Sequence, residues 1–360
     1  MIEPPIEPML AKLAATLPEG AGFLYEPKWD GFRAMVFRGA DDVFIQSRDL
    51  KPLDRYFPEL HALFLERLPA GCVLDGEIVI ATPRGLDFDA LQMRLHPAAS
   101  RVAGLSKESP AEFVAFDVLA VDGRDVRETP QAERRVLLER LLAAIGPPIH
   151  QTPMTRDVTV AAEWLSRFEG AGLDGVVAKP EAGIYEPGKR AMLKIKHART
   201  ADCVVAGFRW HKAGKGTLVG SLLLGLYDAG GHLHHVGVTS SFTMAKRQAL
   251  AEELAPLRER AMAEHPWREW AEAYGDGEAT RMPGGQSRWS AGKDLSWEPL
   301  RIERVCEVKY DHMQGNRFRH AAVFQRWRFD KRPEDCRYDQ LEVTAPYELE
   351  KVFGAAHPDR

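Results

Sequence analysis

The sequence predicts a two-domain α+β protein, in which a larger domain of antiparallel sheets with flanking helices is followed by an OB-fold β-barrel domain. Three observations predict this fold class. The chain of 360 residues is 45% hydrophobic, which suffices for at least one full core and favours two domains. In its first part, apolar runs rich in β-branched and aromatic residues alternate with helical patterns. Beyond that part, short strands around one helix are typical of a small OB-fold barrel.

We expect the larger domain at residues 1–198, the barrel at 199–345 and a polar C-terminal tail at 346–360. Strands of the first domain are predicted at short apolar runs: Gly22–Tyr25, Ala34–Phe37, Val43–Gln46, Val73–Ile80, Phe113–Val118, a run from Gly175, and Met192–Lys196. Helices are predicted where apolar residues recur at helical spacing: Asp54–Leu68, Thr129–Ile145 and Thr159–Glu169. Thr129 is the predicted N-cap of the second helix, with Pro130 directly after it.

A boundary between the domains is predicted at residues 197–202. The strands expected after it are separated by glycine-rich turns and a polar stretch: Cys203–Arg209, Ser221–Tyr227, His234–Val238, Val305–Tyr310 and Ala321–Arg326. A single helix is predicted over Thr243–Arg260, and the polar stretch covers Glu264–Trp297. This pattern of short strands predicts the barrel.

Charge and cysteine content restrict the class of protein. The net charge is −4, so nucleic acid would have to bind to local basic surfaces. Lys179–Lys215 holds nine Lys and Arg against three Asp and Glu, and Arg301–Arg332 nine against four; each block is also compatible with a solvated surface. The four cysteines are far apart, which disfavours a disulfide scaffold or a zinc site. Because the N-terminus does not resemble a signal peptide, we expect a cytoplasmic protein, which would be nucleoid-associated only if the motifs described below imply DNA as its partner.

The sequence Lys28–Arg33 places a lysine beside a carboxylate, a glycine and an arginine. A lysine with a pKa of about 10.4 is neutral in about one molecule in a thousand at pH 7, so using Lys28 as a nucleophile costs roughly 4 to 5 kcal/mol. Nearby cations lower that cost, and we expect Lys194, Lys196 and Arg33 to supply them. In isolation, the same sequence would be read as an exposed lysine beside a turn.

Carboxylates next to glycines are the second recurring feature. Asp30 would orient the amine or a metal-bound water, and Gly31 would let the backbone approach a ligand. Glu77 lies in an apolar strand, which indicates a role in binding a ribose hydroxyl or a metal. Asp174 begins another apolar strand with Lys179 at its far end, which indicates metal binding and phosphate contact. The alternatives are a buried salt bridge for Glu77 and a turn-forming Asp-Gly pair for Asp174.

Two further positions indicate a nucleotide site. Lys194 and Lys196 alternate by two, so both point to one face of a strand, which core packing does not explain. Phe116 would offer a ring on which a base stacks, although a Phe in an apolar strand is equally compatible with core packing.

In this order, these motifs resemble those of the covalent nucleotidyltransferase superfamily of ATP-dependent DNA ligases and mRNA capping enzymes. The resemblance extends from Glu26 to Lys331 and rests on Lys28–Arg33, Ser47-Arg48, Ala115–Leu119, Asp174–Lys179, Lys194–Lys196 and Arg326–Lys331. Within the superfamily, the chain is most similar to small bacterial single-subunit ligases of the mycobacterial ligase C type. These share its Tyr25–Gly31 and Arg317–His320 sequences.

The resemblance implies an adenylation domain (a nucleotidyltransferase, ATP-grasp-like fold) in which Lys28 becomes a lysyl-adenylate and Glu26 reads the adenine amino group. Residues implied in binding the nucleotide are Glu26, Lys28, Arg33, Arg48, Glu77, Phe116, Asp174, Lys179, Lys194, Lys196, Arg326, Arg328, Asp330 and Lys331. Residues implied in catalysis are Lys28, Asp30, Lys194 and Lys196, and the implied metal ligands are Glu77 and Asp174. Many members of the family have Glu where this chain has Asp174, which would shift metal binding towards a water-mediated contact.

The resemblance further implies ATP and Mg²⁺ or Mn²⁺ as cofactors and nicked or short-gapped duplex DNA as the partner. The expected protein is a monomeric ligase that seals 5′-phosphate/3′-hydroxyl nicks, in DNA repair and with repair proteins such as a polymerase or an end-binding protein. Its DNA contacts would come from the two domains and the polar stretch Glu264–Trp297. The alternatives are an RNA guanylyltransferase or RNA ligase of the same superfamily, and a catalytically idle DNA-binding module.

Overall fold

The computed structural model describes residues 2–83, 85–196, 199–268, 296–311, 313–341 and 346–355. The chain forms two compact units: Met1–His197 together with Thr344–Arg360, and Ala198–Val343. None of the described helices has the length and apolar character that a bilayer crossing requires. Most of the predicted polar stretch Glu264–Trp297 lies outside the described residues.

The first unit is built from short strands and helices. Its strands are β1 (Ala11–Ala14), β2 (Phe23–Pro27), β3 (Phe32–Arg38), β4 (Val43–Ser47), β5 (Cys72–Val79), β6 (Ala81–Thr82), β7 (Gly85–Leu86), β8 (Glu112–Val121), β9 (Arg124–Asp125), β10 (Ile149–Gln151), β11 (Val176–Pro180) and β12 (Met192–Ile195). Its helices before the second unit are α1 (Pro58–Arg67), α2 (Phe88–Met93), α3 (Ala99–Glu108), α4 (Gln131–Leu142) and α5 (Val158–Arg167).

Two sheets carry the first unit. The four-stranded sheet has the order β1-β12-β11-β2, and the larger sheet has the order β10-β8-β5-β3-β4, with β9 paired to β8. Neighbouring strands are antiparallel apart from β1 on β12 and β10 on β8, which are parallel edge pairs. The predicted antiparallel sheets with flanking helices are therefore confirmed.

Each sheet buries its own apolar cluster. Phe64 of α1, Phe113 of β8 and Leu138 of α4 are fully buried in the cluster behind the larger sheet. Tyr25 of β2 and Val176 of β11 are fully buried in the cluster behind the four-stranded sheet, where they meet α5. The other face of the larger sheet is mixed, because alternate residues of a strand point to opposite faces. It carries the polar residues Arg33, Asp75 and Glu77, and also Met35, Phe37 and Val73, which are buried in a further apolar cluster that includes Met192 of the four-stranded sheet.

The second unit contains β13 (Arg199–Trp210), β14 (Val219–Tyr227), β15 (Leu233–Thr239), α6 (Met244–Leu254), β16 (Glu298–Pro299), β17 (Val305–Tyr310), β18 (Met313–Gln314), β19 (Arg317–Phe318) and β20 (Val323–Trp327). The main sheet has the order β15-β14-β13-β17-β20. A parallel bridge from Thr239, the last residue of β15, to Ala322, next to β20, joins the two ends of this order. The prediction of an OB-fold barrel is confirmed.

The structure differs from the sequence-based elements at several ends. The predicted helix over Asp54–Leu68 is interrupted, because Pro58 has no N–H and begins α1 after a short 3₁₀ turn. The N-cap of α4 is Pro130, and no side-chain hydrogen bond from Thr129 caps it; the Gln131 N–H donates instead to the Gly183 carbonyl. β13 already begins at Arg199, inside the predicted boundary segment, because Arg199–Val204 pair with β17.

The segment predicted as a C-terminal tail contains α7 (Leu349–Gly354). Leu349 and Val352 of this helix are buried in the cluster behind the four-stranded sheet. The short strand β1 and the helices α2 and α3 also lie outside the sequence-based elements. In all these cases the apolar pattern spans too few residues to predict the element by periodicity.

Candidate active site

A cavity of about 170 Å³ in the first unit is lined by residues of both sheets. The predicted nucleotide-site residues that line it are Glu26, Lys28, Arg33, Arg48, Glu77, Phe116, Lys179 and Lys194. Asp174 adjoins it through an ion pair with Lys28, and Lys196 pairs with the same carboxylate. Motifs that are far apart in the sequence are thus assembled into one site.

Strand register explains how the four-stranded sheet contributes. Glu26 of β2 lies opposite Val177 of β11, which in turn lies opposite Lys194 of β12. Laterally paired residues point to the same face of a sheet, so Glu26 and Lys194 reach the cavity together. Beyond the end of β2, the Lys28 N–H donates to the Gly175 carbonyl at 2.8 Å, and the Asp174 N–H donates to the Lys28 carbonyl at 2.8 Å.

Lys28 and Lys196 share a single carboxylate. Lys28 Nζ lies 2.6 Å and Lys196 Nζ 2.8 Å from Oδ2 of Asp174, which is largely buried. Burial raises the pKa of this carboxyl, but the two lysines outweigh it and the pKa is lowered overall. Lys194 has a lowered pKa, because of burial first and then the charges of Lys28 and its other cationic neighbours. Lys194 and Lys196 thus lie close to Lys28, and Asp174, which was expected to bind a metal, pairs with Lys28 and Lys196. The expected effect of these cations on the reactivity of Lys28 stays a prediction.

The ring of Phe116 is partly buried and flanked by two cations. The guanidinium of Arg33 lies 5.3 Å and the Nζ of Lys179 lies 5.1 Å from the ring centroid. Lys179 also donates to the Phe116 carbonyl at 2.7 Å, which fixes the strand that carries the ring. An aromatic face open to a cavity and bordered by cations suits a stacked base followed by phosphates.

Glu26 is buried between two cations. Its carboxylate lies 2.7 Å from Lys179 Nζ and 3.4 Å from Nη1 of Arg135. Burial raises its pKa, and the attraction of Lys179 and Arg135 opposes this effect only in part. A carboxylate held in this way retains lone pairs towards the cavity and can accept a hydrogen bond from an amino group on a base.

The larger sheet supplies the wall that carries Arg33 and Glu77. Arg33 forms a bidentate pair with the fully buried Asp75, at 2.6 and 3.0 Å, and Asp75 also accepts from the Tyr185 hydroxyl at 2.7 Å. Burial raises the pKa of Glu77 to about 7, although Lys28 and Arg33 lower it in part. The strong anchor of Arg33 is thus Asp75, which the sequence-based reasoning did not single out.

Close contacts within the protein leave no room for a side chain at Gly31. A Cβ at this position would lie 2.1 Å from the Ile78 carbonyl oxygen and 2.9 Å from Cγ of Glu77. The Gly31 N–H donates to Oε1 of Glu77 at 3.1 Å. The neighbouring strand therefore requires glycine at this position, and the expected approach of a ligand to Gly31 stays a prediction.

Three residues near the cavity were interpreted incompletely from the sequence. Arg190 and Trp29 also line the cavity. Arg190 lies in a basic loop outside the motifs, and Trp29 lies within the Lys28–Arg33 motif, where no role is predicted for it. Asp30 lies two positions after Lys28 but is not among the described residues of the cavity wall. Its predicted role in orienting the amine stays a prediction.

The predicted residues of the terminal motif form an ion-pair cluster in the second unit. Arg328 lies 2.9 Å from Asp202 and 2.8 Å from Asp330, and Lys331 lies 2.9 Å from Asp202. Arg326 pairs with Glu307 at 2.8 Å. These cations are therefore engaged by carboxylates within the unit. Asp202, which holds two of them, gave no signal in the sequence beyond a charge at the predicted domain boundary.

The donor set near Lys28 fits a magnesium-like ion only together with a substrate. Within the described residues, no group of three or more His, Cys, Asp and Glu side chains could hold a metal. Asp174 and Glu77 are the carboxylates near Lys28, and Mg²⁺ is commonly held by one or two carboxylates together with substrate phosphates. The chemistry of these donors therefore fits a metal that arrives with a nucleotide.

Comparisons with known proteins identify the same family from both units. The family model for the ATP dependent DNA ligase domain matches residues 8–196, and that for the ATP dependent DNA ligase C terminal region matches residues 215–331. The chain is 54% identical to DNA ligase C2 of Mycolicibacterium smegmatis, covering 94% of this chain and 95% of that protein. It is 53% identical to DNA ligase C of Mycobacterium tuberculosis, covering 98% of each.

A solved structure of a Lig E DNA ligase has a similar fold. Its TM-score is 0.55 and its sequence identity 18%, and the match covers 91% of this chain and all of that one. At this identity the likeness concerns the fold alone. The family models and the relatives at more than 50% identity confirm the resemblance seen in the motifs. The chain therefore belongs to the ATP-dependent DNA ligases.

Proposed function

We propose that Lys28 is the nucleophile of this ligase and that the cavity around it holds ATP with the base on Phe116. The ion pair among Lys28, Lys196 and Asp174 carries the proposal, because it places two amines on one carboxylate beside the cavity. An amine in an ion pair is not a nucleophile, so Lys28 must leave Asp174 before it attacks. The α-phosphate of bound ATP would supply competing negative charge for the lysines.

The first step forms one bond and breaks one. Lys28 first loses its ammonium proton to solvent, and the neutral amine attacks the α-phosphorus of ATP to form a phosphoramidate bond. The bond to pyrophosphate breaks, pyrophosphate leaves with its electron pair, and the attacking nitrogen gives its surplus proton to solvent. Lys194 and Lys196 would stabilise the charge that develops on the α-phosphate oxygens. Lys194 suits this role because its partly buried ammonium group lies among other cations, as its lowered pKa indicates.

A divalent cation would be held by Asp174 and Glu77 together with the phosphates of ATP. When bound, Mg²⁺ or Mn²⁺ neutralises phosphate charge and polarises the reacting phosphoryl group. Asp174 cannot hold two lysines at close range and a metal with the same oxygen, so we expect Lys28 to be released when this site fills. Arg33 and Glu77 would then hold the ribose hydroxyls from the larger sheet.

In the later steps, AMP would pass from Lys28 to the 5′-phosphate at a nick in duplex DNA. The adjacent 3′-hydroxyl would then attack that phosphate, form the phosphodiester bond and release AMP. Nicks or short gaps in repair are the proposed substrates, with the protein acting as a monomer alongside other repair proteins. For repair, the support is the 31% identity, over 69% of this chain, to the multifunctional non-homologous end joining DNA repair protein LigD of Mycobacterium tuberculosis, of which the match covers 32%; no contact within this structure contributes to it.

Incubation with α-labelled ATP tests the proposal. The wild-type chain should acquire a covalent label that depends on Mg²⁺ or Mn²⁺, and Lys28→Arg should acquire none, because arginine keeps the charge but is not nucleophilic. Lys189→Arg is the matched control, since Lys189 is exposed and pairs with Glu186 on the surface. Equal labelling of the wild-type protein and Lys28→Arg would contradict the assignment. Labelling by GTP in place of ATP would favour a guanylyltransferase.

A further inference from the structure

The helix α7 packs behind the loop of residues 28–31, which joins β2 to β3 and carries Lys28. Its residues Leu349 and Val352 are buried in the same apolar cluster as Trp29, Val176 and other residues behind the four-stranded sheet. Phe353 packs against this cluster as a partly buried residue. In the sequence, α7 follows the second unit, yet it completes the core of the first unit.

Three aromatic rings connect α7 to the loop. The ring of Phe353 stacks on Trp29 with a centroid distance of 5.2 Å and an interplanar angle of 19°. It also stacks on His150 at 4.0 Å and 15°. The Trp29 indole is almost fully buried, and its Nε1 donates to Oγ1 of Thr152 at 2.8 Å. One edge and one face of the indole are therefore both fixed.

Because Trp29 is held in place, it restricts the position of Lys28, the proposed nucleophile. It is bonded directly to Lys28 and lines the same cavity. The Lys28 backbone forms two hydrogen bonds of 2.8 Å with the residues just before β11. Its N–H donates to the Gly175 carbonyl, and its carbonyl accepts from the Asp174 N–H. The contacts of Lys28 and Trp29 together leave the nucleophile's backbone little freedom to shift or turn.

We propose that Phe353 is a positioning residue for Lys28, which it holds in attack geometry through the indole of Trp29. The inference rests on the proposed role of Lys28 as nucleophile. Phe353 is not among the described residues of the cavity wall, so ATP binding should not depend on it. The rate at which Lys28 reacts should depend on it, because a misplacement of about 1 Å can cost on the order of 100-fold in rate.

The test compares Phe353→Leu with Val352→Ala in the full chain. Phe353→Leu keeps an apolar side chain but removes the ring, whereas Val352→Ala thins the packing of the same helix and leaves the ring on Trp29 in place. The rate of labelling by α-labelled ATP is measured at saturating ATP, together with the ATP concentration for half-maximal rate and the melting temperature. Sealing of a nick that already carries AMP on its 5′-phosphate is measured as well, because that reaction bypasses attack by Lys28.

We expect Phe353→Leu to lower the labelling rate by about tenfold, within the range that misplacement of a reacting group produces. The half-saturating ATP concentration and the sealing of the pre-adenylated nick should stay within about twofold. Val352→Ala should lower the melting temperature and leave the labelling rate, measured well below that temperature, within about twofold. Phe353→Tyr, which keeps an aromatic face, should retain most of the labelling rate.

Several outcomes would overturn the inference. Phe353→Leu could label as fast as wild type, or both helix variants could lose labelling in proportion to their loss of thermal stability. An equal loss on the pre-adenylated nick would also contradict a role through Lys28. If Lys28→Arg is labelled as well as wild type, the proposed function itself fails. If Lys28→Arg is unlabelled and Phe353→Leu is unaffected, only the positioning role fails.

Discussion

Replacement of Glu77 by glutamine should make the protein more stable than wild type as the pH rises. Burial raises the pKa of Glu77 to about 7, against 4.5 for the same group in an unfolded chain. The folded protein therefore binds this proton more tightly than the unfolded chain. In the wild-type protein, the contribution of protonated Glu77 to the free energy of unfolding is fully present below pH 4.5 and is lost as the pH rises through about 7. The substituted glutamine would keep the acceptor for the Gly31 N–H and would carry no charge at any pH.

The size of the effect follows from the two pKa values. One pKa unit corresponds to about 1.36 kcal/mol, so the full shift from 4.5 to about 7 is worth roughly 3 kcal/mol. Most of the accessible change falls between about pH 5.5 and pH 8. Over this interval the wild-type protein should lose about 2 kcal/mol relative to Glu77→Gln. Any constant effect of the substitution on packing cancels in this difference.

The assay is urea unfolding of both proteins at half-unit steps over the same pH interval, without nucleotide or metal. The measured quantity is the free energy of unfolding of the variant minus that of wild type. Glu163→Gln is the control, because Glu163 is a surface carboxylate whose side chain is 58% exposed. A difference that stays flat within about 0.5 kcal/mol, or that falls as the pH rises, would refute the reasoning.

Two further substitutions probe the site from either side. Gly31→Ala should destabilise the protein by about 1 to 3 kcal/mol in urea unfolding, because its Cβ would meet the Ile78 carbonyl; Gly146→Ala, with open space around it, should not. Arg135→Met should raise the half-saturating ATP concentration for labelling by roughly tenfold, because it removes one of the two cations that hold Glu26. An unchanged ATP dependence would show that Glu26 needs only its other partner.

Most of the predicted residues that line the cavity lie on strands, where the sequence pattern is regular, and Lys28 and Arg48 directly follow the ends of β2 and β4. The spacing of two predicts that Lys194 and Lys196 share one face of a strand. β12 ends at Ile195, so Lys194 lies on the strand and lines the cavity, whereas Lys196 directly follows the strand and pairs with Asp174. The register that sets Lys194 beside Val177 and Glu26 is consistent with the same spacing. The order of the motifs, through the family resemblance, then identified Phe116, which lies in β8 of the larger sheet. Local pattern and resemblance therefore accounted for most of the cavity wall.

The partners of these residues could not be predicted in the same way. Asp75 anchors Arg33 and Asp202 holds Arg328, but each lies in a strand among apolar residues, where its partner depends on the tertiary register. The contact between Gly31 and Ile78 could not be predicted for the same reason, since no local pattern shows that the Ile78 carbonyl comes so close. Ion pairing and close packing between distant segments are decided by the complete fold.

The return of α7 to the first unit has a consequence for how the protein is made. Trp29 and Phe353 are 324 residues apart in the chain. At about 5 to 20 residues per second, a ribosome needs on the order of half a minute to get from one to the other. During this interval the nascent chain has its lysine but lacks the ring that stacks on the adjacent indole. A newly synthesised ligase should thus gain full reactivity with ATP only after translation has passed Phe353.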